Sequence, residues 1–156
     1  MRIMSIDIGG RKGTGVIVEE TIVGKVLHKE DFVVKLDGAD GLVYWHAKFK
    51  ELMVKYKPHL VVSAYPTRNY WAIFRHGEKV GLMTVLCWEL NAMLVMESDS
   101  HYKKELLGNG RADKEAIAKH YKGRDDLNTE NLRDAQMFLD VYKKTTRTQL
   151  KKKSLT

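Results

Sequence analysis

A single carboxylate inside an apolar segment constrains this chain more than any other feature of its sequence. Residues 3–8 are otherwise apolar or small, as in a core strand, and the two glycines Gly9 and Gly10 follow Asp7 within "SIDIGGRKGTG". Burying an unpaired carboxylate is costly. Asp7 is therefore expected to cap a turn, to pair with a basic residue, or to bind a cation or phosphate-bearing ligand at the glycine-rich turn.

Length and charge narrow the class of protein. The chain has 156 residues, of which 44% are hydrophobic and 30% charged, and this favours one globular domain. The 27 Lys and Arg residues exceed the 20 Asp and Glu residues, which favours a polyanionic partner. We predict a domain over residues 1–145 and a basic tail over 146–156. That tail is either a solvated end or a nucleic-acid contact.

Cysteine usage and hydropathy point to a compartment. Cys87 is the one cysteine, which excludes a disulfide framework and indicates a reducing environment. No apolar run approaches the length of a membrane span, and the chain begins with a strand pattern instead of a signal sequence. We expect a cytoplasmic location in a bacterium or a phage-infected host cell, with no membrane partner and no small-molecule cofactor.

Hydrophobic periodicity predicts an α/β fold. Three strands of an antiparallel meander are followed by two strands that crossover helices make parallel, so the prediction is a five-stranded mixed sheet flanked by helices. The meander occupies residues 3–36 and the later strands 59–67 and 93–97; helices are predicted over 40–56, about 69–94, 114–121 and about 131–144.

The last predicted helix carries oxygen ligands on one face. Asp134 has Asn131 three residues before it and Glu130 four residues before it. Carboxylates that project toward a strand-end Asp suit Mg²⁺ or Mn²⁺, and two such ions could activate water for phosphodiester hydrolysis. The alternative is that Glu130 and Asp134 only favour the helix N-terminus electrostatically.

A glycine-hinged basic loop precedes the helix predicted at residue 114. Gly108 and Gly110 interrupt the chain there, and a helix start can bind phosphate. The segment "KKELLGNGRADK" is therefore a candidate cradle for a nucleic-acid backbone. Its basic residues are Lys103, Lys104, Arg111 and Lys114.

These segments resemble the RuvC-type Holliday junction resolvases of the RNase H-like superfamily, in a small phage-type form. The resemblance rests on "SIDIGGRKGTG", on the GxGxAxK pattern of residues 108–114 with Lys103 before it, and on "RDAQMFL" in the last helix. The order and spacing of these motifs match along nearly the whole chain, with the basic tail outside.

The resemblance implies a homodimer that binds four-way DNA junctions and nicks them symmetrically with Mg²⁺ or Mn²⁺ at a two-metal site. Asp7 would be the first metal ligand and Asp134 the last, with Asn131 or the neighbouring Glu130 completing the set. Tyr65 resembles an aromatic wedge at the junction centre, although the neighbouring aromatics are equally compatible with a helix core or a dimer contact. The implied DNA-binding residues are Arg11, Lys12, Tyr65, Arg68, Lys103, Lys104, Arg111 and Lys114.

The chain departs from the family pattern at two catalytic positions. Three residues before the last Asp the family has an acid or a histidine, and this chain has Asn131, whose carbonyl oxygen can still bind a hard cation. The glutamate that the family has at the end of the fourth strand falls on Ser63 or Ala64, and neither is an anionic ligand. One explanation is an alanine introduced at residue 64 to inactivate a nuclease; the other is a divergent protein that binds junctions or other branched DNA with little cleavage. A nuclease for replication forks or RNA/DNA hybrids and a basic module with a structural role are the further alternatives.

Overall fold

A five-stranded mixed sheet forms the centre of the structure, a computed structural model that describes residues 1–9, 13–36, 38–65 and 70–153. The strand order is β3-β2-β1-β4-β5, which places β1 in the middle. Antiparallel pairs join β1 to β2 and β2 to β3, while β4 runs parallel to both β1 and β5. The predicted fold class is therefore confirmed. The strands are β1 (Arg2–Asp7), β2 (Thr14–Glu20), β3 (Lys25–Phe32), β4 (Leu60–Tyr65) and β5 (Met93–Ser98).

Helices cover both faces of this sheet. The helices predicted near residues 40, 70, 114 and 131 are all present, and the two glycines inside α2 do not interrupt it. The bounds are α1 (Gly38–Tyr56), α2 (Tyr70–Glu89), α3 (Asp99–Leu107), α4 (Lys114–His120) and α5 (Glu130–Lys153).

Two elements differ from the sequence prediction. Helix α3 was not predicted, because its apolar residues are few and it follows β5 without an intervening turn. Ser98 caps its start and Gly108, with a φ of 74°, caps its end. The end predicted for α5 near residue 144 was wrong, since the helix continues to Lys153 through most of the basic tail.

Alternation along the strands sends side chains into two hydrophobic cores. Met4 and Ile6 of β1 pack in the core beneath α1 and α2, together with Trp45. Ile3 of the same strand packs in the other core, beneath α3, α4 and α5, together with Phe138. Odd-numbered residues of β1 therefore face α5, which decides where Asp7 points.

Two further features of the described residues concern Cys87 and the hydropathy of the helices. Cys87 is buried in the core beneath α2, and this burial raises the pKa of its thiol to about 11, as for a structural cysteine. None of the helices within the described ranges has the combination of length and apolar character that crossing a bilayer requires.

Candidate metal and nucleic-acid site

Asp7 lies at the C-terminal end of the central strand and points toward α5. Two residues earlier, the Ser5 hydroxyl donates a hydrogen bond to the Ala135 carbonyl oxygen of α5 at 2.6 Å. Because side chains alternate along a strand, Asp7 lies on the same face of the sheet. Asp134 precedes Ala135 on α5 and is half-buried. The structure thus brings together the first and the last of the predicted carboxylates.

Burial and neighbouring negative charges disfavour the ionised form of both carboxylates. Burial raises the pKa of Asp7 well above its usual value, and the charges of Asp134 and Asp99 raise it further. Burial also raises the pKa of Asp134 to about 6, again with help from Asp99. Neither side chain has a hydrogen bond or an ion pair with any residue in the described ranges. A divalent cation beside them would stabilise the ionised form of both groups.

Basic residues only partly offset this negative charge. Lys114 lowers the pKa of both Asp7 and Asp134, and Lys103 lowers that of Asp134. Lys114 is itself paired with Glu130, and Lys103 with Asp99 at 2.7 Å between Nζ and Oδ2. The charges of both lysines therefore act on the carboxylate pair, while each lysine forms its ion pair with a different acidic residue.

The remaining predicted ligands occupy different positions. Glu130 forms its ion pair with Lys114. The Asn131 amide nitrogen donates to Asp31, at 3.1 and 3.2 Å from the two carboxylate oxygens. Ala64 is half-buried near the end of β4 and packs against the α5-side core, where its methyl group cannot bind a metal. The strand-four carboxylate is therefore absent from this site.

The glycines near Asp7 have a structural reason. A Cβ at Gly15, the residue that pairs with Asp7 in β2, would lie 2.2 Å from the Asn131 carbonyl oxygen. A Cβ at Gly9 would lie 1.7 Å from the Gly13 carbonyl oxygen and 3.1 Å from Asn131 Oδ1. Gly15 thus allows α5 to approach β2, and Gly9 allows the Gly13 backbone to approach the end of β1. That the glycine-rich segment also admits a phosphate backbone stays a prediction.

Each fixed residue of the GxGxAxK motif has a structural role. Gly108 has the left-handed conformation that ends α3, and a Cβ at Gly110 would lie 2.9 Å from the Ser100 carbonyl oxygen. Ala112 is buried, and Lys114 begins α4. The motif thus folds the loop against the start of α3.

The predicted DNA-binding residues differ in exposure. Lys104, Arg111 and Lys114 are exposed around the loop between α3 and α4, and Tyr65 is exposed at the end of β4. Lys103 is only 5% exposed, so it lies beneath this surface. Arg11, Lys12 and Arg68 lie outside the described residues, and their role remains a prediction.

Three residues near Asp7 were not predicted from the sequence. The charges of Asp31 and Asp99 raise the pKa of Asp7, and both residues belong to elements far from it along the chain. Lys79 of α2 donates a hydrogen bond to the Gly9 carbonyl oxygen at 3.2 Å, and its charge faces Asp7. Only the sheet order could have revealed them, although the Ser98 cap was a local signal for the helix that carries Asp99.

The chemistry of these donors fits a hard divalent cation. Asp7 and Asp134 offer anionic oxygens and no competing protein donor within the described part of the chain. Over the same residues, no group of three or more His, Cys, Asp or Glu side chains is close enough to hold an ion by protein ligands alone. Such an open arrangement agrees with Mg²⁺, which usually retains several waters and takes oxygens from its substrate.

Comparisons with known proteins support the fold. No protein-family model matches the chain, and no curated protein sequence matches it. Among solved structures, Thermus thermophilus RuvC in complex with a Holliday junction substrate superposes with a TM-score of 0.72 at 20% identity, covering 95% of this chain and 96% of that one.

Two further structures agree with this result. Another Thermus thermophilus RuvC structure gives a TM-score of 0.69 at 21% identity, with 95% and 96% coverage. The yeast mitochondrial Holliday junction resolvase Ydc2 gives 0.54 at 10% identity, covering 90% of this chain and 76% of that one. The chain therefore has the RNase H-like fold of the RuvC-type Holliday junction resolvases, which are its structural neighbours.

Proposed function

We propose that this protein is a structure-selective endonuclease that binds four-way DNA junctions and nicks them symmetrically by divalent-metal-dependent phosphodiester hydrolysis. The observation that carries the proposal is the pair formed by Asp7, at the carboxyl end of the central strand, and Asp134 of α5. Both carboxylates are desolvated, and neither has a donor among the residues that the structure describes. The same fold in resolvases supports it. Its setting would be DNA recombination or repair in a bacterium or a phage-infected cell.

Asp7 and Asp134 would hold Mg²⁺ or Mn²⁺, with Glu130 and Asn131 as the nearest further candidates on α5. A bound ion would supply an activated water and would stabilise charge on the leaving oxygen. Asp7 and Asp134 must ionise to bind it, and the ion removes the penalty that burial places on their charges. Lys114 remains beside both carboxylates with its charge toward the site.

The exposed basic groups near this pair suit a phosphate backbone. Lys114 is 55% exposed at its side chain while its charge reaches Asp7 and Asp134. Lys104 and Arg111 are exposed on the adjoining helix and loop, and the excess of basic residues over the whole chain has the matching sign. Arg11, Lys12 and Arg68 are proposed to join them.

A homodimer is supported by an apolar stripe on α2. Phe74, Val85 and Trp88 lie on one face of this helix and are 56%, 52% and 81% exposed. Gly77 and Gly81 lie between them, and no atom of the described residues is within 4 Å of the Cβ position of either. Exposed apolar side chains that flank small residues suit close packing against a second helix. We propose that a second copy of the chain covers this stripe about a two-fold axis, as paired nicks require.

Cleavage of a labelled mobile four-way junction in Mn²⁺ tests the function directly. The comparison includes the unaltered chain and Ala64→Glu, each with and without Asp7→Asn. All four proteins are assayed at equal junction occupancy. We expect Ala64→Glu to increase paired nicking and Asp7→Asn to abolish it in both backgrounds. Nicking that survives Asp7→Asn would contradict the assigned site.

A junction-binding protein with little cleavage is the second candidate, and Ala64 is the observation that favours it. It predicts tight, salt-sensitive binding of the junction over linear duplex without nicking, even after Ala64→Glu. Nicking of forks or RNA/DNA hybrids in preference to the four-way junction would instead favour a related nuclease.

A further inference from the structure

The backbone leaves the sheet directly after Asp7. The described pairing of β1 ends at Asp7 toward β2 and at Ile6 toward β4. Ile8 and Gly9 therefore lie beyond this ladder of strand hydrogen bonds, and buried carbonyl groups at such positions need other donors. Ile8 is buried in the core beneath α1 and α2. Because Ile8 follows Asp7 in the chain, the partners of these two carbonyl groups decide how firmly the Asp7 backbone is held.

Two side chains of α2 donate to these carbonyl groups. His76 Nε2 donates a hydrogen bond to the Ile8 carbonyl oxygen at 2.5 Å, and Lys79 Nζ donates one to the Gly9 carbonyl oxygen at 3.2 Å. Both residues are half-buried. They are three positions apart, so they lie on one face of the helix. One face of α2 therefore holds two consecutive peptide groups at the end of β1.

Lys79 is also fixed from the side of α1. Its ammonium lies 5.7 Å from the centroid of the Trp45 ring, within the range of a cation–π interaction. Trp45 is fully buried, and its indole nitrogen donates a hydrogen bond to the Thr14 hydroxyl at 3.2 Å, at the start of β2. Lys79 thus connects the end of β1 to a rigid part of the core.

The turn itself confines Gly9 on its other side. The Gly9 backbone nitrogen donates a hydrogen bond to the Asp7 carbonyl oxygen at 2.9 Å. A Cβ on Gly9 would lie 1.7 Å from the Gly13 carbonyl oxygen, so the two backbone segments are in close contact. Peptide groups are planar, so a shift of the Gly9 carbonyl rotates the units that connect it to Asp7. The bonds from α2 therefore restrict the position of the Asp7 carboxylate.

We propose that His76 and Lys79 are positioning residues for the metal site, which hold the Asp7 carboxylate in place through the backbone of Ile8 and Gly9. The inference rests on the proposed function, because Asp7 is one of the metal ligands assigned there. A displacement of about 1 Å in a reacting group can cost about 100-fold. A pair of bonds to the backbone beside Asp7 is therefore expected to have a measurable effect on metal binding.

The charge of Lys79 gives a second explanation with the opposite sign. The charges of Lys79 and Asp7 attract each other. If Lys79 acted only through its charge, its removal would strengthen the binding of a divalent cation near Asp7, because a repelling positive charge is lost. A positioning role predicts weaker binding instead. The direction of the change therefore separates the two explanations.

Isothermal titration of the metal-free full chain with Mn²⁺ alone tests the assignment without reference to cleavage. We expect Lys79→Met and His76→Leu each to weaken binding by about tenfold, the lower end of the effect of groups that orient a metal ligand. Lys79→Arg and His76→Gln keep a donor, so each should retain the affinity within about threefold of the unaltered chain. Lys55→Met is the matched control and should change nothing, because the exposed Lys55 also places its ammonium over a ring, 5.2 Å from the Tyr56 centroid.

Thermal unfolding in EDTA checks that each variant folds, and every titration is run well below the melting temperature. If either Lys79→Met or His76→Leu does not fold, the other carries the test. Unchanged affinity in both, or tighter binding by Lys79→Met, would overturn the positioning role. A loss that Lys79→Arg and His76→Gln share would also overturn it, because packing would then explain the effect.

Asp7→Asn in the same titration separates this inference from the proposed function. Loss of Mn²⁺ binding in Asp7→Asn, with unchanged affinity in Lys79→Met and His76→Leu, would overturn the positioning role and leave the proposed metal site intact. Absence of Mn²⁺ binding to the unaltered chain would overturn both.

Discussion

Gly15 and Asn131 approach each other so closely that a Cβ on Gly15 would lie 2.2 Å from the Asn131 carbonyl oxygen. Gly15 pairs with Asp7 across β1 and β2, and Asn131 is in the first turn of α5. This contact sets how closely the helix that carries Asp134 approaches the strand that ends in Asp7. The separation of the central carboxylates therefore depends on a glycine that bears no functional group.

Gly15→Ala is expected to destabilise the fold, because backbone atoms of α5 must move to admit a methyl group. Overpacking of this kind costs about 1–3 kcal/mol. Urea unfolding of the metal-free chain measures the loss. Gly24→Ala is the matched control: its φ of 62° adds strain, but no atom from the described part of the chain lies within 4 Å of its Cβ position. A smaller loss for Gly15→Ala than for Gly24→Ala would contradict the contact.

The metal-free protein is expected to lose stability as the pH rises from about 4 to about 6. The pKa of Asp134 is raised from 3.8 to about 6 on folding, so over this window the unfolded chain releases a proton that the folded chain retains. Asp134→Asn removes the effect and should raise the melting temperature at pH 7 in EDTA by about 2–4 °C, the shift that about 1 kcal/mol produces in a chain of this length.

Asp7→Asn should act in the same direction, because burial and neighbouring charges also raise the pKa of Asp7. At pH 4 both variants should melt close to the unaltered protein. Glu115→Gln, which changes an exposed acid in the first turn of α4, is the control and should show no such gain. Lower melting temperatures for both Asn variants at pH 7 would disprove a desolvated pair.

Mn²⁺ binding should weaken steeply below pH 6. The ion competes with a proton for Asp134, whose pKa is raised to about 6, so the apparent affinity is expected to fall by about tenfold for each pH unit below that value. Titrations at pH 5, 6, 7 and 8 measure the slope. A pH-independent affinity over this range would place the ion elsewhere.

Lys114→Gln should affect the metal and the DNA together. Lys114 lowers the pKa of Asp7 and of Asp134, so its loss should move the midpoint of the pH dependence of Mn²⁺ binding upward. Junction binding should weaken. The slope of log affinity against log salt concentration should decrease in magnitude by about one, as expected for the loss of one phosphate contact. Lys122→Gln, in the exposed turn after α4, is the control. Equal behaviour of the two variants would argue against a place for Lys114 at the site.

Trp88→Glu should convert the proposed dimer to a monomer. The side chain is 81% exposed on the apolar stripe of α2, and a two-fold axis would bring two new charges into one interface. Light scattering coupled to gel filtration gives the molar mass. Ile22→Glu, at an 83% exposed site in the turn between β2 and β3, should leave the mass unchanged. A monomeric unaltered chain, or a dimer that tolerates Trp88→Glu, would contradict this interface.

Most of the fold could be predicted because local patterns agree with the tertiary structure. The apolar run of β1 and the 3.6-residue period in α1 and α5 are strong enough to be read from the sequence. Helix α3 was missed because few of its residues are apolar, so that its caps, Ser98 and Gly108, were its main local signals. The basic segment around Lys103 was read as a loop, although that lysine is buried on a helix.

The sequence by itself determined the five strands, four of the five described helices, the isolated carboxylate at Asp7 and its distant counterpart at Asp134, because each depends on a short-range pattern or motif. Only the tertiary structure decided that Asp99 approaches both of them, that Asn131 engages Asp31, and that Gly15 admits α5. The physical reason is that strand register and helix packing bring together groups far apart in the chain, and no local periodicity encodes such distances.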